Sequence, residues 1–258
     1  MELADTHCHI HFKSYPLEPG DVIATAKQVG VTRLLLVGTT LPDSVKAIEL
    51  ASDYDNIWAA AGCHPHDANA FMANEASAVK LAEILSMPKV VAVGETGLDY
   101  FRRRSSKENQ QLAFRQQIEA GLTRGLPYVF HVREAWEDFF AILDEYNQPR
   151  ALSGVVHSFS AGPEELDQIL SRGLYVGLNG IMTFTKDELQ LQAAKTVPID
   201  KLLLETDAPF LTPHPHRGEV CQPAHIADIA KFLADLRAES LDNLAVATTN
   251  NAINLFKL

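Results

Sequence analysis

The segment "DTHCHIHF", Asp5 to Phe12, has a histidine at every second position. Side chains of a β-strand alternate between its two faces, so residues two apart lie on the same side, roughly 6.5 Å from each other. His7 and His9 can therefore share one face, with Cys8 on the opposite one. Imidazole is a common ligand for divalent metal ions, and this pair is a candidate metal-binding element that needs further ligands nearby.

Further residues of ligand type lie where other short apolar runs stop, and these residues are His64, Glu95, His131, His157 and Asp207. Burying so many ionisable groups together without compensation would be costly. A pair of divalent ions removes that cost, because histidines bind metals in their neutral form and carboxylates bind as anions. The pattern therefore predicts one shared metal centre.

Eight apolar runs are separated by helical segments. The first is a brief run before Asp5, and the others are "RLLLVG" (33–38), "IWAAAG" (57–62), "VVAVGE" (90–95), "PYVFH" (127–131), "GVVHSF" (154–159), "LYVGLNG" (174–180) and "KLLLETD" (201–207). Each run is almost continuously apolar, as are strands buried on both faces of a parallel sheet. Between them, stretches such as "SVKAIELASDY" and "EELDQILSRG" carry apolar residues at helical spacing.

Local signals agree with this alternation. "GPEEL" places a proline and two acids at a helix start, and Gly30, Gly125 and Gly173 follow helical segments. Eight strands alternating with eight helices predict an α/β fold of the (β/α)8 TIM-barrel type, as a single domain over 1–258. A doubly wound open sheet is the alternative. The barrel is favoured because the ionisable residues gather at one end of the strands, where barrel active sites lie.

The predicted ligands form two sets that share Glu95: His7, His9, Glu95 and Asp207 for one ion, and Glu95, His131 and His157 for the other. Mixed nitrogen and oxygen ligands suit Zn, Mn, Ni or Co, with Mg possible but less natural beside four imidazoles. Two ions about 3.5 to 4 Å apart would activate a water and clamp the attacking and leaving oxygens. Asp207 is then also the expected proton acceptor.

These residues resemble a known family. The segments "DTHCHIHF", "AAGCHPHDA", "VGETGLDY", "PYVFHVREAWE", "GVVHSFSAG" and "KLLLETDAPFLTP" are similar, in order and spacing, to the TatD family of metal-dependent hydrolases and deoxyribonucleases. The resemblance spans nearly the whole chain. It implies a (β/α)8 fold, a two-metal site and hydrolysis of phosphodiester bonds, often as a 3′-to-5′ exonuclease on DNA. Its metal ligands fall on the same six positions.

Three further positions follow less directly. His64 looks like the family histidine that faces the substrate, where it would donate a proton to the leaving group; a supporting or capping role is the alternative. His66 is expected to orient its loop or to contact substrate. Glu205 lies two residues before Asp207 and should point the same way but deeper into the barrel, where it would support a ligand or hold water; an ion-paired core acid is the alternative.

Arginine suits bidentate contact with phosphate, which makes Arg102 of "FRRR" and Arg133 of "HVRE" candidate substrate residues. Arg217 is a third candidate, in a segment "HRGEVCQPAH" that resembles the family's substrate loop. Cys221 and Gln222 stand there in place of the usual Asn and Glu, which departs from the family pattern.

His11 is the remaining histidine of the opening segment, and it should lie beyond the strand. The strand is expected to end near His9, because two prolines follow in "FKSYPLEPG". The family usually has Asp or Asn at the position of His11. We expect His11 to lie at the rim of the pocket, in reach of substrate.

Composition limits the function classes. A net charge of -11 argues against wide wrapping of a nucleic-acid backbone, although bound cations and a local arginine cluster permit a narrow DNA or oligonucleotide site.

The sequence contains neither a membrane-spanning run nor a secretion signal, which predicts a cytoplasmic protein. Three widely spaced cysteines predict reduced thiols. A monomer without an obligate protein partner is the default expectation.

Other functions are compatible with the same fold. A barrel amidohydrolase could cleave a cyclic amide or deaminate a base, although two-metal members often bridge their ions through a modified Lys on strand four, where this chain has Glu95. A phosphoesterase on a small phosphorylated metabolite is another possibility. A metal-dependent binding or scaffold protein is disfavoured, because it needs neither a base nor an open metal position.

Overall fold

The computed structural model describes residues 1–146 and 152–258. Eight parallel strands form one sheet in which the spatial order follows the chain order. The strands are β1 (Leu3–Cys8), β2 (Val31–Val37), β3 (Ile57–Ala61), β4 (Val90–Asp99), β5 (Tyr128–Arg133), β6 (Gly154–Val156), β7 (Tyr175–Leu178) and β8 (Leu202–Leu204). The predicted (β/α)8 architecture is confirmed.

Ten α-helices cover the sheet within the described residues, which is more than the eight that the sequence predicts. They are α1 (Pro19–Gln28), α2 (Leu41–Ser52), α3 (Ala68–Ala73), α4 (Ser77–Ile84), α5 (Lys107–Arg124), α6 (Trp136–Glu145), α7 (Pro163–Ser171), α8 (Glu188–Thr196), α9 (Ile226–Arg237) and α10 (Leu241–Phe256). The difference arises because β3 and β8 are each followed by two helices. None of the described helices is long and apolar enough to cross a membrane.

The helix boundaries follow the local signals. Helix α7 begins at Pro163, with Gly162 as its N-cap. Helix α5 ends at Arg124, and its C-cap Gly125 adopts the left-handed conformation with φ of 66°. Gly30 and Gly173 also have positive φ and follow α1 and α7. These glycines therefore end helices as predicted, because the left-handed turn is unstrained without a Cβ.

The barrel closes between β8 and β1, next to the predicted ligands. Cys8 forms a parallel bridge with Ala208. The Asp207 N–H donates to the His7 carbonyl oxygen at 2.8 Å, and the His9 N–H donates to the Ala208 carbonyl oxygen at 2.7 Å. The backbone bonds that close the barrel thus fix His7, His9 and Asp207 relative to one another.

Apolar residues fill two layers. The larger layer lies between the strands and the surrounding helices, and it includes Phe114, Phe130 and Phe139. The smaller layer contains a residue from nearly every strand, such as Ala4, Leu35, Ala60, Ala92, Val129, Val155 and Leu203. Residues of α10 join this smaller layer, and α10 bonds to the backbone just before β1 and at the start of β8. One end of the barrel is therefore packed, which leaves the other end for the polar groups.

The predicted end of the fourth strand, at Glu95, is wrong. β4 continues to Asp99, and its last residues pair with β5 as far as Asp99 and Arg133. Gly97 makes this extension possible, because its φ is 143° and a Cβ there would collide with the His131 carbonyl oxygen. A single inward-facing acid interrupts the apolar run without ending the hydrogen-bonded ladder.

Phe130 on β5 offers a test of this packing. Its ring is fully buried and lies 5.3 to 5.9 Å from the rings of Tyr128, Phe114 and Phe139. Phe130→Ala should lower the free energy of unfolding by about 3–5 kcal/mol, because the cavity left behind cannot collapse fully. Urea denaturation followed by circular dichroism measures the change.

Val246→Ala on α10 is the matched control, because Val246 is 59% exposed. Its substitution should change the free energy of unfolding by less than about 0.5 kcal/mol. Equal losses in the two variants would contradict the packing described here.

Candidate metal centre and active site

A cavity of about 670 Å³ opens at the carboxyl ends of the strands. Its lining includes His9, His64, Glu95, His131, His157 and Asp207. His7 lies beneath them and is fully buried. The structure thus brings together the residues that the sequence predicts as ligands, at the end of the barrel where active sites of this fold lie.

The first predicted ligand set converges on one point. His7 Nε2 lies 3.1 Å from His9 Nε2, 3.5 Å from Glu95 Oε2 and 3.7 Å from Asp207 Oδ1. His9 Nε2 lies 3.3 Å from Asp207 Oδ1 and 3.9 Å from Glu95 Oε2. A tetrahedral ion bound at about 2.0–2.1 Å requires ligand atoms roughly 3.3–3.4 Å apart. The separations of 3.1–3.9 Å that His7 and His9 make with each other and with the two carboxylates lie around this value.

The second oxygen of Glu95 faces a different group of rings. Glu95 Oε1 lies 2.8 Å from His131 Nδ1, 3.0 Å from His157 Nε2 and 3.4 Å from His64 Nε2. The two oxygens of the Glu95 carboxylate therefore lie beside different sets of imidazoles. This is the arrangement expected of a residue that bridges two ions.

The outer ring nitrogens show which inner nitrogens are free to bind a cation. His9 Nδ1 lies 2.6 Å from the Val37 carbonyl oxygen, and His131 Nε2 lies 3.3 Å from Asp99 Oδ2. Because these oxygens only accept, the outer nitrogens carry the hydrogens, and in a neutral ring the inner nitrogen presents a lone pair. In His131 that lone pair faces Glu95, an arrangement that is favourable with a cation between them. The residues present therefore fit a divalent metal.

Without a cation, the same rings must take up protons. Burial opposes a charge on His157, yet Glu95 and Glu205 raise its pKa well above the ordinary value. The pKa values of His9 and His131 are also raised against the effect of burial, by hydrogen bonds to Asp207 and to Asp99 respectively. The carboxylates thus create a negative potential at these three rings, which favours a cation there, whereas burial lowers the pKa of His7.

The carboxylates remain ionised. Burial would raise the pKa of Glu95, but electrostatic interactions with the His64 and His157 rings and a hydrogen bond from His131 hold it well below its ordinary value. The pKa of Asp207 is likewise lowered against burial, chiefly by a hydrogen bond from His9. Both acids are therefore charged at neutral pH.

His64 differs from the other rings of the cluster. Its Nδ1 accepts a hydrogen bond from the His66 N–H at 3.0 Å, so its hydrogen is on Nε2, which points towards Glu95. Burial lowers the pKa of His64 to about 4. The ring is therefore neutral and points an N–H donor into the cavity.

Glu205 lies behind His157, as its position before Asp207 predicts. Its Oε1 accepts the Ser158 N–H at 2.6 Å and lies 3.3 Å from His157 Nδ1, although not in hydrogen-bond geometry. The Asn179 amide also donates to this oxygen, at 3.2 Å. Glu205 is fully buried and is thus placed to hold the His157 ring in position.

Asp99 belongs to the site, although the sequence pattern did not predict it. Its Oδ2 accepts from His66 Nε2 at 2.8 Å and from His131 Nε2 at 3.3 Å. Gln110 fixes Asp99 by bonding both its backbone N–H and its carbonyl oxygen. The available signal was the spacing, because Asp99 lies four residues after Glu95 and shares its side of an extended strand. In the structure, the His66 side chain therefore contacts Asp99.

The arginines lie in different places. Arg102 and Arg133 line the cavity, and the Arg133 guanidinium lies 3.9 Å from the centroid of the Phe101 ring. Arg217 does not line this cavity. Its Nη1 donates to the Thr212 carbonyl oxygen at 2.6 Å, and its guanidinium lies 3.8 Å from the Phe184 ring.

The structure corrects the predicted place of His11. Its side chain is 1% exposed, and its Nε2 lies 3.1 Å from Asp43 Oδ2. His11 is therefore buried and does not lie at the rim of the pocket. Asp43 also accepts bonds from the Thr39 N–H and hydroxyl, which ties the loop after β1 to the loop after β2.

The cysteines have packing roles. All three are buried and free, as predicted. Cys8 packs on the side opposite the cluster, with its Sγ 3.7 Å from the Leu35 carbonyl oxygen. Cys221 accepts the Tyr15 hydroxyl at its carbonyl oxygen, and Gln222 donates its N–H to His225 Nδ1. These contacts order the segment that departs from the family pattern.

Comparison with known proteins gives consistent matches over the chain. The family model described as TatD related DNase matches residues 4–257. An uncharacterized metal-dependent hydrolase, YabD, from Bacillus subtilis is 36% identical over 99% of both chains. The 3′-5′ ssDNA/RNA exonuclease TatD of Edwardsiella piscicida is 40% identical over 92% of both. The crystal structure of the Escherichia coli TatD homolog YJJV covers 99% of this chain and 98% of its own, with a TM-score of 0.90 and 29% identity.

Asp99 provides a test of the metal centre. Asp99→Asn should weaken the binding of Mn²⁺ or Zn²⁺ about 10- to 100-fold, because the carboxylate that orients the His131 ring is lost. The protein is stripped with a chelator, and the affinity is obtained from the rise in melting temperature as the ion is added back.

Asp138→Asn is the matched control. Asp138 accepts bonds from the Tyr100 hydroxyl and the Gln111 amide, outside the histidine cluster. It should bind the ion as the wild type does. An affinity unchanged in Asp99→Asn would exclude the orienting role of Asp99.

Proposed function

Because the chain belongs to the TatD-related DNase family of metal-dependent hydrolases, we propose that it cleaves phosphodiester bonds in single-stranded nucleic acid. In this proposal the enzyme removes nucleotides from the 3′ end, as the printed name of the Edwardsiella piscicida relative describes. The observation that carries the proposal is the position of Glu95 between two sets of imidazoles, with one oxygen facing each set.

Two ions are assigned to this site. His7, His9, Asp207 and Glu95 Oε2 would hold the first, and His131, His157 and Glu95 Oε1 would hold the second. The mixed nitrogen and oxygen set suits Zn, Mn, Ni or Co, and Mg less well. When bound, such ions supply Lewis acidity towards the phosphate and lower the pKa of a water molecule.

The protein groups have separate tasks in the proposed reaction. A water oxygen forms the new bond to phosphorus, and the ionised Asp207 takes up the proton of that water. The bond between phosphorus and the leaving oxygen breaks, the Nε2–H of the neutral His64 ring donates a hydrogen bond to that oxygen, and solvent water supplies its proton. Arg102 and Arg133, which line the cavity, are placed to contact the phosphates. His66 would act through Asp99, and a substrate role for Arg217 remains a prediction.

The site has room for a chain end. A volume of about 670 Å³ falls within the range of pockets that enclose a single small ligand. The negative net charge of -11 favours such local recognition over extended wrapping of a duplex. A terminal nucleotide of a single strand fits this cavity better than an internal stretch of a double helix.

Substitution of the two central carboxylates tests the mechanism. Glu95→Ala and Asp207→Asn should each lower the hydrolysis of a phosphodiester reporter by about a thousandfold or more, because the bridge or the base is lost. Initial rates are measured after loading with metal, and circular dichroism checks the fold. Glu75→Ala and Asp55→Asn are controls at exposed acids and should keep full activity. Full turnover in a metal-loaded Glu95→Ala or Asp207→Asn would refute the scheme.

Metal content gives an independent prediction. The wild-type protein should bind two ions per chain under metal-replete conditions, and Glu95→Ala should bind fewer, because both ligand sets lose an oxygen. Elemental analysis and anomalous scattering from crystals count the ions. Fewer than two sites in the wild type would contradict the two-ion assignment.

A substrate panel separates the candidate activities. Metal-loaded protein is assayed on single-stranded DNA, duplex DNA, RNA, a mononucleotide and a cyclic amide. We expect the highest kcat/KM on single strands. Cleavage of the amide alone would replace the phosphodiesterase proposal with an amidohydrolase, and cleavage of the mononucleotide alone would replace it with a small-molecule phosphoesterase.

A further inference from the structure

The walls of the active-site cavity have different chemistry on opposite sides. Arg102 and Arg104 follow β4, and Arg133 ends β5. The cavity is also lined by Phe12 after β1, Ile181 after β7, and Phe210 and Leu211 after β8. In an eight-stranded barrel with strands in chain order, β4 lies across from β8 and β5 lies across from β1. Asp67 and Asp99 also line the side that carries the three arginines. This arginine-bearing side, the cationic wall, faces an apolar wall, with the ligand cluster between them.

Phe210 is the prominent side chain of the apolar wall. It is 52% exposed, although it is large and hydrophobic. Its N–H donates to the Asp207 carbonyl oxygen at 2.8 Å, so a tight turn fixes the ring beside the cluster. Its ring meets that of His9 edge-on, with centroids 6.4 Å apart. About half of the Phe210 side chain is thus available at the mouth of the cavity.

The other two phenylalanines near the mouth are already covered. Phe12 stacks on His9, with centroids 4.5 Å apart and an angle of 16° between the rings. Phe101 is 46% exposed, but the guanidinium of Arg133 covers its ring at 3.9 Å. Phe101 thus supports the cationic wall, whereas Phe210 has no such cover among the ring and cation contacts of the described residues.

From this division we infer that the base of the terminal nucleotide stacks on Phe210, while the phosphates that precede it lie along Arg102, Arg104 and Arg133. The inference rests on the proposed function and specifies how its substrate is oriented. Arginine matches phosphate, and a stacked aromatic ring accepts any base, because every base has a π-face. The scissile phosphate then lies over the cluster. Bases paired within a duplex are not free to stack in this way.

Two oligonucleotides test the orientation. Both are single-stranded DNA of one sequence with a 5′ label, and one carries an abasic residue at its 3′ end that keeps the phosphodiester and the 3′ hydroxyl. The ratio of kcat/KM for the first cleavage, base-bearing over abasic, is the readout. We expect a ratio of about ten in the wild type, because one stacked base typically contributes a factor of about 5 to 150. Phe210→Ala should lower the ratio to about one, mainly through KM.

Two variants serve as controls. Phe210→Tyr keeps the aromatic face and should keep the ratio near ten. Phe101→Ala removes the other exposed phenylalanine and should also keep the ratio, because Phe101 acts on the phosphate side. Thermal unfolding checks that each variant folds.

The other outcomes are decisive as well. A ratio that stays near ten in Phe210→Ala overturns the inference, and a ratio that collapses in Phe101→Ala places the base on the cationic wall instead. A wild type that cleaves both oligonucleotides equally overturns the inference and leaves the proposed function intact. A metal-loaded wild type that cleaves neither overturns both.

Discussion

The arrangement of this protein depends on one buried carboxylate. Glu95 is 3% exposed, and it lies among imidazoles from four other strands and loops, which hold its pKa well below the ordinary value. A charged acid in such a place is tolerable because each of its oxygens faces ring nitrogens. The carboxylates in turn offset the cost of burying charge on His9, His131 and His157, whose pKa values they raise. The site is therefore a mutually dependent set of charges, and a divalent cation is the natural partner for the negative potential that they create.

The surroundings fix how the rings present their nitrogens. The Val37 carbonyl oxygen binds the outer nitrogen of His9, Asp99 binds that of His131, and the His66 backbone donates to His64. These outer contacts decide which nitrogen carries the hydrogen, so two histidines present lone pairs while His64 presents a donor. Histidines of the same site therefore differ in whether they can bind a cation or donate a hydrogen bond. The difference between a ring that presents a lone pair and a ring that presents a donor follows from backbone and carboxylate partners and not from the histidines themselves.

Much of the fold followed from local patterns, because a strand buried on both faces must be apolar and helices must end in recognisable ways. The eight strands and the barrel were predictable from these patterns, and so was the convergence of His7, His9, Glu95, His131, His157 and Asp207. The length of β4 was not predictable, because an inward-facing acid and two glycines look like a strand end. Asp99 was missed for the same reason. The extra helices after β3 and β8 lie in connections that the alternation does not constrain.

The sequence by itself determined the class of fold and the place of the histidines and carboxylates at the strand ends, because these depend on periodicity and on residue chemistry near each position. The tertiary structure decided which atoms meet. In the folded chain His11 contacts Asp43, and both His66 and His131 contact Asp99. Arginines line the side of the cavity opposite Phe210. Such contacts join residues that are tens of positions apart, and closure of the barrel sets their distances. Local patterns carry no information about that closure, which is why the sequence left these partners open.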